Sequence, residues 1–192
     1  MSEQFDRALA EFDRANGQDP RTQSFEKVSY PRELIFARRV SAWITRLNPE
    51  ASEPARLAAR SHTLRRWEVP RARYPMDTAG YHAWRQATAS HSAVNAEAVL
   101  LPLGYAPETV QRVRQLITGA LFPRDPEAQL LEDADCLAFL ELKLADYLEQ
   151  WDDGKIDRVL RGTWSKMSPA ARELARRLPL DPRVGHLLKM DS

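Results

Sequence analysis

Residues Asp125–Leu144 read DPEAQLLEDADCLAFLELKL, and this stretch decides the fold. An aspartate followed by proline marks a helix start: its carboxylate accepts the first free N–H groups, and proline is preset for the first turn. No glycine or further proline interrupts the run, and Leu130, Asp133, Leu137, Leu140 and Leu144 recur at spacings of three and four. That is one stripe of a helix, expected to reach about Gln150. The same start recurs at Ser168-Pro169 and Asp181-Pro182, while Pro31, Pro54 and Pro107 each precede another periodic segment.

Working outward, a first helix is expected over about 3–15, with Phe5, Leu9 and Phe12 on one stripe, stopped by Asn16-Gly17. A polar loop then leads to Tyr30. The second helix, from Pro31, turns Leu34, Ile35, Val40, Trp43, Ile44 and Leu47 inward. The third, after Ser52 or Glu53, carries Leu57, Ala58, His62 and Leu64. A fourth runs over about 78–101, and a fifth from Pro107 holds Val110, Val113, Ile117 and Leu121. Ile156, Val159, Leu160 and Trp164 mark a seventh, and two short helices after Pro169 and Pro182 close the chain. With 7 glycines against 13 prolines, and Val, Ile and Thr sparse beside Ala, Leu, Arg and Glu, the chain reads as all-α. The expected architecture is a single-domain multi-helix bundle. Its core spans about 31–165, with the helix at 3–15 and the helices over 169–190 packed on it.

A net charge of +1 does not favour a protein that holds duplex nucleic acid through excess positive charge. The single cysteine, Cys136, excludes an intramolecular disulfide and suits a reducing interior, with packing as its expected role. The charged start MSEQFDRALAEFDRA lacks the apolar run of a signal peptide, and nothing later is apolar enough for a bilayer. A cytoplasmic protein without membrane contact is expected.

Three polar residues interrupt apolar stripes. His91 falls within Trp84, Ala87, Val94, Ala98 and Leu101; Asp133 falls within the leucine stripe quoted above; His62 lies one turn beyond Ala58. A buried carboxylate costs several kcal/mol, on the order of what only a cation, an arginine, a histidine or a metal offsets. Two imidazoles and a carboxylate on three helices suit a divalent metal ion with open positions. Each residue taken alone also fits a hydrogen-bonded core residue, and the spacing from His62 to His91 to Asp133 is no local motif. His82 and His186 are expected at the surface.

Immediately after His62, the stretch SHTLRRWEVPRARYP over 61–75 crowds arginines between prolines. Arg65, Arg66 and Arg71, with Arg85 beside Trp84, are expected at a pocket rim, where guanidinium groups grip phosphate or carboxylate. Solvated arginines paired with Glu68 and Asp77 fit the same pattern. Trp67, Tyr74, Tyr81 and Trp84 could stack on a base, but their spacing suits core packing better. Lys166 in WSKMSP is a further residue within reach of a ligand.

The segments PRELIFARR, ASEPARLAARSHTLRRWEVPR, YPMDTAGYHAWR, LEDADCLAFLE and TWSKMS resemble the bacterial and fungal family catalogued as domain of unknown function 4202, over most of the chain. A more distant resemblance is to HD-type metal-dependent phosphohydrolases, carried by HSAVNAEAVLLPLGYAPETVQRVRQLI and LLEDADCLAFL. That resemblance implies an all-helical fold with His62 and His91 as metal ligands. Asp133 or Asp135 would be the last ligand; the stripe selects Asp133, and the Ala-Asp-x-Leu pattern in ADCL selects Asp135. The His-Asp dipeptide that defines those enzymes is missing, since His62, His82, His91 and His186 precede Thr, Ala, Ser and Leu. Either Glu68 or Asp77 stands in for it, or the pocket binds without cutting.

Two functions from different classes follow. One is a metal-dependent hydrolase of a small phosphorylated or nucleotide-like ligand, with His62, His91 and Asp133 on the metal, Glu68 or Asp135 as base, and Arg65, Arg66, Arg71 and Arg85 on the anion. The other is a non-catalytic module that uses the same pocket to bind an anionic metabolite or a partner.

Overall fold

A computed structural model describes residues 2–184. Nine α-helices among the described residues form the molecule, in the order α1 Glu3–Asn16, α2 Arg32–Leu47, α3 Glu53–Ser61, α4 Thr78–Leu100, α5 Pro107–Thr118, α6 Pro126–Leu142, α7 Leu144–Leu148, α8 Asp153–Lys166 and α9 Pro169–Ala175. The all-α expectation holds, and among the described residues no helix is long and apolar enough to cross a membrane. The capping chemistry is as the sequence implies. Asp125 Oδ1 accepts from the N–H groups of Glu127 and Ala128, and Ser52, Asp152 and Ser168 cap α3, α8 and α9 in the same way.

The helices are held by one apolar core. Phe5 and Phe12 of α1, Val40 and Ile44 of α2, Leu57 of α3, Leu100 of α4, Val113 of α5 and Leu137 of α6 are all sealed from solvent. Each such side chain contributes about 1.5–3 kcal/mol relative to exposure. α2 lies along α6, α5 packs on both α3 and α4, and α1 covers α3. This leaves the C-terminal end of α3, α4, the end of α5 and α6 around a shared opening.

Four features differ from the sequence expectation. The segment read as a polar loop before Tyr30 contains an antiparallel hairpin, β1 Thr22–Phe25 paired with β2 Val28–Pro31. Its two-residue turn places Glu26 and Lys27 at φ 50° and 67°, the backbone of a tight hairpin turn, reached here without the glycine or asparagine that would signal it. The run over 125–150 is interrupted at Lys143, so that α6 and α7 are separate helices. Helix α4 buries Thr88, Ser92, Ala93, Ala96 and Leu100, so the expected Trp84–Leu101 seam faces outward, with Val94 57% and Leu101 47% exposed. Finally, Pro182–Val184 forms a single 3-10 turn. The helix expected beyond it, and His186, lie outside the described residues.

One glycine is fixed by contact. A Cβ on Gly80 would fall 2.1 Å from the carbonyl oxygen of Pro75 and 2.8 Å from its Cβ. The chain after the arginine-rich stretch thus lies directly on the first turn of α4, where Asp77 Oδ1 also accepts the Gly80 N–H at 2.7 Å. In an open helix, alanine would stabilise relative to glycine by about 0.5–1 kcal/mol. Here Gly80→Ala is expected to destabilise by roughly 1–3 kcal/mol in urea unfolding, because the added methyl must displace backbone. A stabilised variant would show that Pro75 does not rest there.

Candidate functional site

The end of α3 delivers the first functional group. His62 caps α3, and its Nδ1 lies 3.0 Å from the Ala59 carbonyl oxygen. Its Nε2 lies 2.9 Å from Asp135 Oδ1 on α6. Both partners are acceptors, so a ring with a proton on each nitrogen would satisfy both bonds at once. Behind the imidazole is Phe36 of α2, with ring centroids 5.8 Å apart, and the Lys143 Nζ sits 3.4 Å from the centroid of that same Phe36 ring.

Asp135 is therefore the carboxylate that meets His62. Burial pushes its pKa up, yet the His62 hydrogen bond, the charge on His62, Arg85 and Lys143 together hold it well below the usual carboxylate range. Its side chain keeps 19% exposure, all that the cleft beside it allows. Glu33, at the start of α2, follows the same logic. Burial raises its pKa, but Lys143, Arg66 and Arg21 outweigh that and lower it, and the Thr63 hydroxyl adds in the same direction from beyond ordinary hydrogen-bond geometry. Arg21 Nη2 reaches Glu33 at 2.9 Å and Asp19 at 2.9 Å, while Asp19 Oδ2 accepts the Glu33 N–H, pinning the root of the hairpin to α2. Lys143 is the cation shared by both carboxylates. Burial depresses its amine to about 8, with Glu33 and Asp135 opposing and Arg66 and Arg32 assisting the decrease.

Beside this buried group opens a cleft of about 360 Å³. His62, Thr63 and Arg66 form one side, Arg85, Thr88 and Ala89 of α4 the next, and Glu132 and Asp135 of α6 the floor. The outer wall is the end of α5 and the chain after it. Arg66 is placed by stacking over the Trp84 ring, 4.6 Å from its centroid, and Trp84 Nε1–H donates to the Val69 carbonyl at 2.8 Å. Among the described residues the guanidinium groups of Arg66 and Arg85 make no hydrogen bond or ion pair, although both line the cleft. Burial lowers the pKa of Arg85, and Asp135 with Glu132 more than restores it, so the group stays charged.

The remaining expected site residues are distributed elsewhere. Asp133 is buried as expected, but its Oδ1 accepts the Ser168 N–H at 2.7 Å and Gln129 Nε2 at 3.0 Å, tying α6 to the start of α9. His91 Nε2 lies 3.1 Å from Glu68 Oε2 and 3.2 Å from Asn95 Nδ2, with its ring 29% exposed and away from the core seam in which it was expected. Glu68 also pairs with Arg65 at 2.6 Å. Arg71 donates to the Tyr74 carbonyl at 3.0 Å, and Asp77 caps α4, so both shape the lip rather than the cleft. Thus the structure unites His62, Asp135, Arg66 and Arg85, and leaves His91, Asp133, Glu68, Arg65 and Arg71 outside. Among the described residues no three His, Cys, Asp or Glu side chains gather closely enough to hold a metal ion.

Smaller expectations resolve in both directions. Cys136 is buried and its thiol pushed well up, first by burial and then by Glu132, in keeping with a packing residue. Lys166 reaches Glu132 at 3.1 Å, on the rim of the cleft floor. Trp67, Tyr74, Tyr81 and Trp84 are not core residues: none is buried, and Tyr81 is 44% exposed. His82 is exposed as expected. Sequence reading missed Glu33, Thr63 and Lys143. Only Lys143 carried a signal, a charged residue between Leu142 and Leu144, whereas Glu33 reads as an ordinary first-turn acid after Arg32.

Residues 6–188 match the family described as Domain of unknown function (DUF4202), and the chain belongs to that family. No curated protein and no solved structure matches it.

The depressed Lys143 amine makes stability pH-dependent in a defined direction. Between about 8 and 10.5 the unfolded chain binds a proton at this amine that the folded chain does not, so its contribution to stability rises with pH across that window. Below it the fold carries the full cost of a buried ammonium. Comparing wild type with Lys143→Met in urea, the difference in unfolding free energy should move in favour of wild type by roughly 3 kcal/mol from neutral pH to about pH 10.5. A pH-independent difference would mean that the amine is solvated.

Proposed function

We propose that the cleft binds a small phosphorylated or otherwise multiply charged anion, and that the protein acts as a binding module for it. The observation that carries this reading is the charge at the inner end of the cleft. Lys143, Arg66 and Arg85 gather with His62 about the carboxylates of Glu33 and Asp135, while Glu132 on the floor is paired with Lys166. Arg66 and Arg85 each present five N–H donors without a protein acceptor among the described residues. Donors left unmade in a partly desolvated wall are costly, and a phosphate supplies both the acceptors and the missing negative charge.

The rival reading is the metal-dependent hydrolase implied by the resemblance to HD-type enzymes. It asks His62, His91 and Asp133 to meet at one ion, and their separate engagements with Asp135, Glu68 and Ser168 weigh toward binding without turnover. We place the function in the cytoplasm, on the single buried cysteine and its suitability to a reducing interior.

Thermal unfolding with a panel of phosphate esters tests the proposal. A ligand at about 100 times its Kd should raise Tm by roughly 5 °C or more. Arg85→Gln should remove that shift and lower the ligand-free Tm modestly, since Asp135 then loses one of the cations that offset it. No shift with any ester would sink the proposal. Phosphate release that requires added Mn²⁺ or another divalent ion, and that His91→Ala abolishes, would establish the hydrolase instead.

A further inference from the structure

The cleft is not uniform along its length, and its two ends have different chemistry. The face of α6 that floors it presents Ala128, Leu131, Glu132 and Asp135. Seven residues of helix at about 1.5 Å each separate Ala128 from Asp135, so the floor is roughly 10 Å long. The Asp135 end carries His62, 2.9 Å from Asp135 Oδ1, and Arg85 lines the same cleft from α4. Arg66 lines the cleft on the His62 and Thr63 side, stacked over the Trp84 ring at 4.6 Å.

The Ala128 end is apolar. Phe122 stands just before the Asp125 cap of α6, and Leu116 and Ile117 come from the last turns of α5; all three line the cleft with Leu131. Leu116, Ile117 and Leu131 are otherwise core residues, so they offer a fixed wall rather than a mobile one. The chain leaves α5 through Gly119 at φ 68°, where a Cβ would meet nothing within 4 Å, which keeps the rim beside this wall open. An inorganic anion would engage only the cationic end and make no contact with Phe122 and the apolar lining behind it.

Resting on the reading that the cleft grips an anion, we propose that its ligand is a phosphate monoester whose organic part is compact and apolar, of the size of one ring system. The phosphate is held by Arg66, Arg85 and His62, and the ring lies against Leu131, Ile117 and Phe122. A volume of about 360 Å³ is at the low end of small-molecule sites, and a floor of roughly 10 Å is too short for a long acyl chain. Burial of a ring against that wall gives affinity that a polar ester of the same charge lacks.

The test compares phenyl phosphate, glycerol phosphate and inorganic phosphate on the wild-type protein by isothermal calorimetry, with Phe122→Ala as the variant and circular dichroism as the folding control. Phenyl phosphate should bind at least tenfold more tightly than glycerol phosphate, and Phe122→Ala should shrink that ratio while leaving the affinity for inorganic phosphate unchanged. Equal affinity for the two esters, with Arg85→Gln abolishing both, would overturn the apolar half of the proposal and leave the anion site standing. Binding of none of the three would overturn both.

Discussion

The Asp135 carboxylate, set in the cleft floor and bonded to His62, is the interaction on which the rest depends. A carboxylate in that position is tolerated only because His62, Arg85 and Lys143 surround it. The requirement fixes geometry across the molecule. It joins the C-terminal end of α3 to α6, with Arg85 of α4 lining the same cleft, and the charge of Lys143 acts on both Asp135 and Glu33 of α2. From Glu33 the chain of charges continues through Arg21 to Asp19 at the root of the hairpin. The apolar core supplies the stability of the bundle, whereas this ionic seam sets how its helices are registered around the cleft.

The seam also explains why the cleft is cationic. Glu33 is bonded by Arg21 and Asp135 by His62, so what remains without a hydrogen-bond acceptor among the described residues is the pair of guanidinium groups that line the opening. Arg65 and Arg71, from the same arginine-rich stretch, have been spent on the lip: one pairs with Glu68, and the other holds the Tyr74 carbonyl. The stretch over 61–75 is thus half scaffold and half site, with His62, Thr63 and Arg66 turned inward.

Much of the fold was legible in the chain because its helix starts are chemically explicit. Asp125-Pro126, Ser168-Pro169 and Ser52 before Pro54 each cap a helix in the structure. Where the reading failed, the local signal was weak. The hairpin turn uses Glu26 and Lys27 at positive φ, with no glycine to announce it. Helix α4 is rich in alanine on every side, so its buried face at Thr88, Ser92 and Ala96 differs little in hydropathy from the exposed one at Val94 and Ala98. Helix α6 has the same ambiguity. Asp133 is indeed the more buried aspartate on the stripe, but its bonds serve the backbone of α9, and the margin residue Asp135 meets the histidine. Periodicity reports burial; it does not report which partner arrives from a distant helix.

The most direct measurement is the titration of the Asp135 carboxyl carbon by ¹³C NMR in the wild-type protein. The account predicts a carboxylate still ionised at about pH 3, because burial is outweighed by His62, Arg85 and Lys143. A group that takes up its proton near pH 4, as a solvated aspartate does, would mean that these cations do not converge on it, and the cationic cleft would lose its foundation.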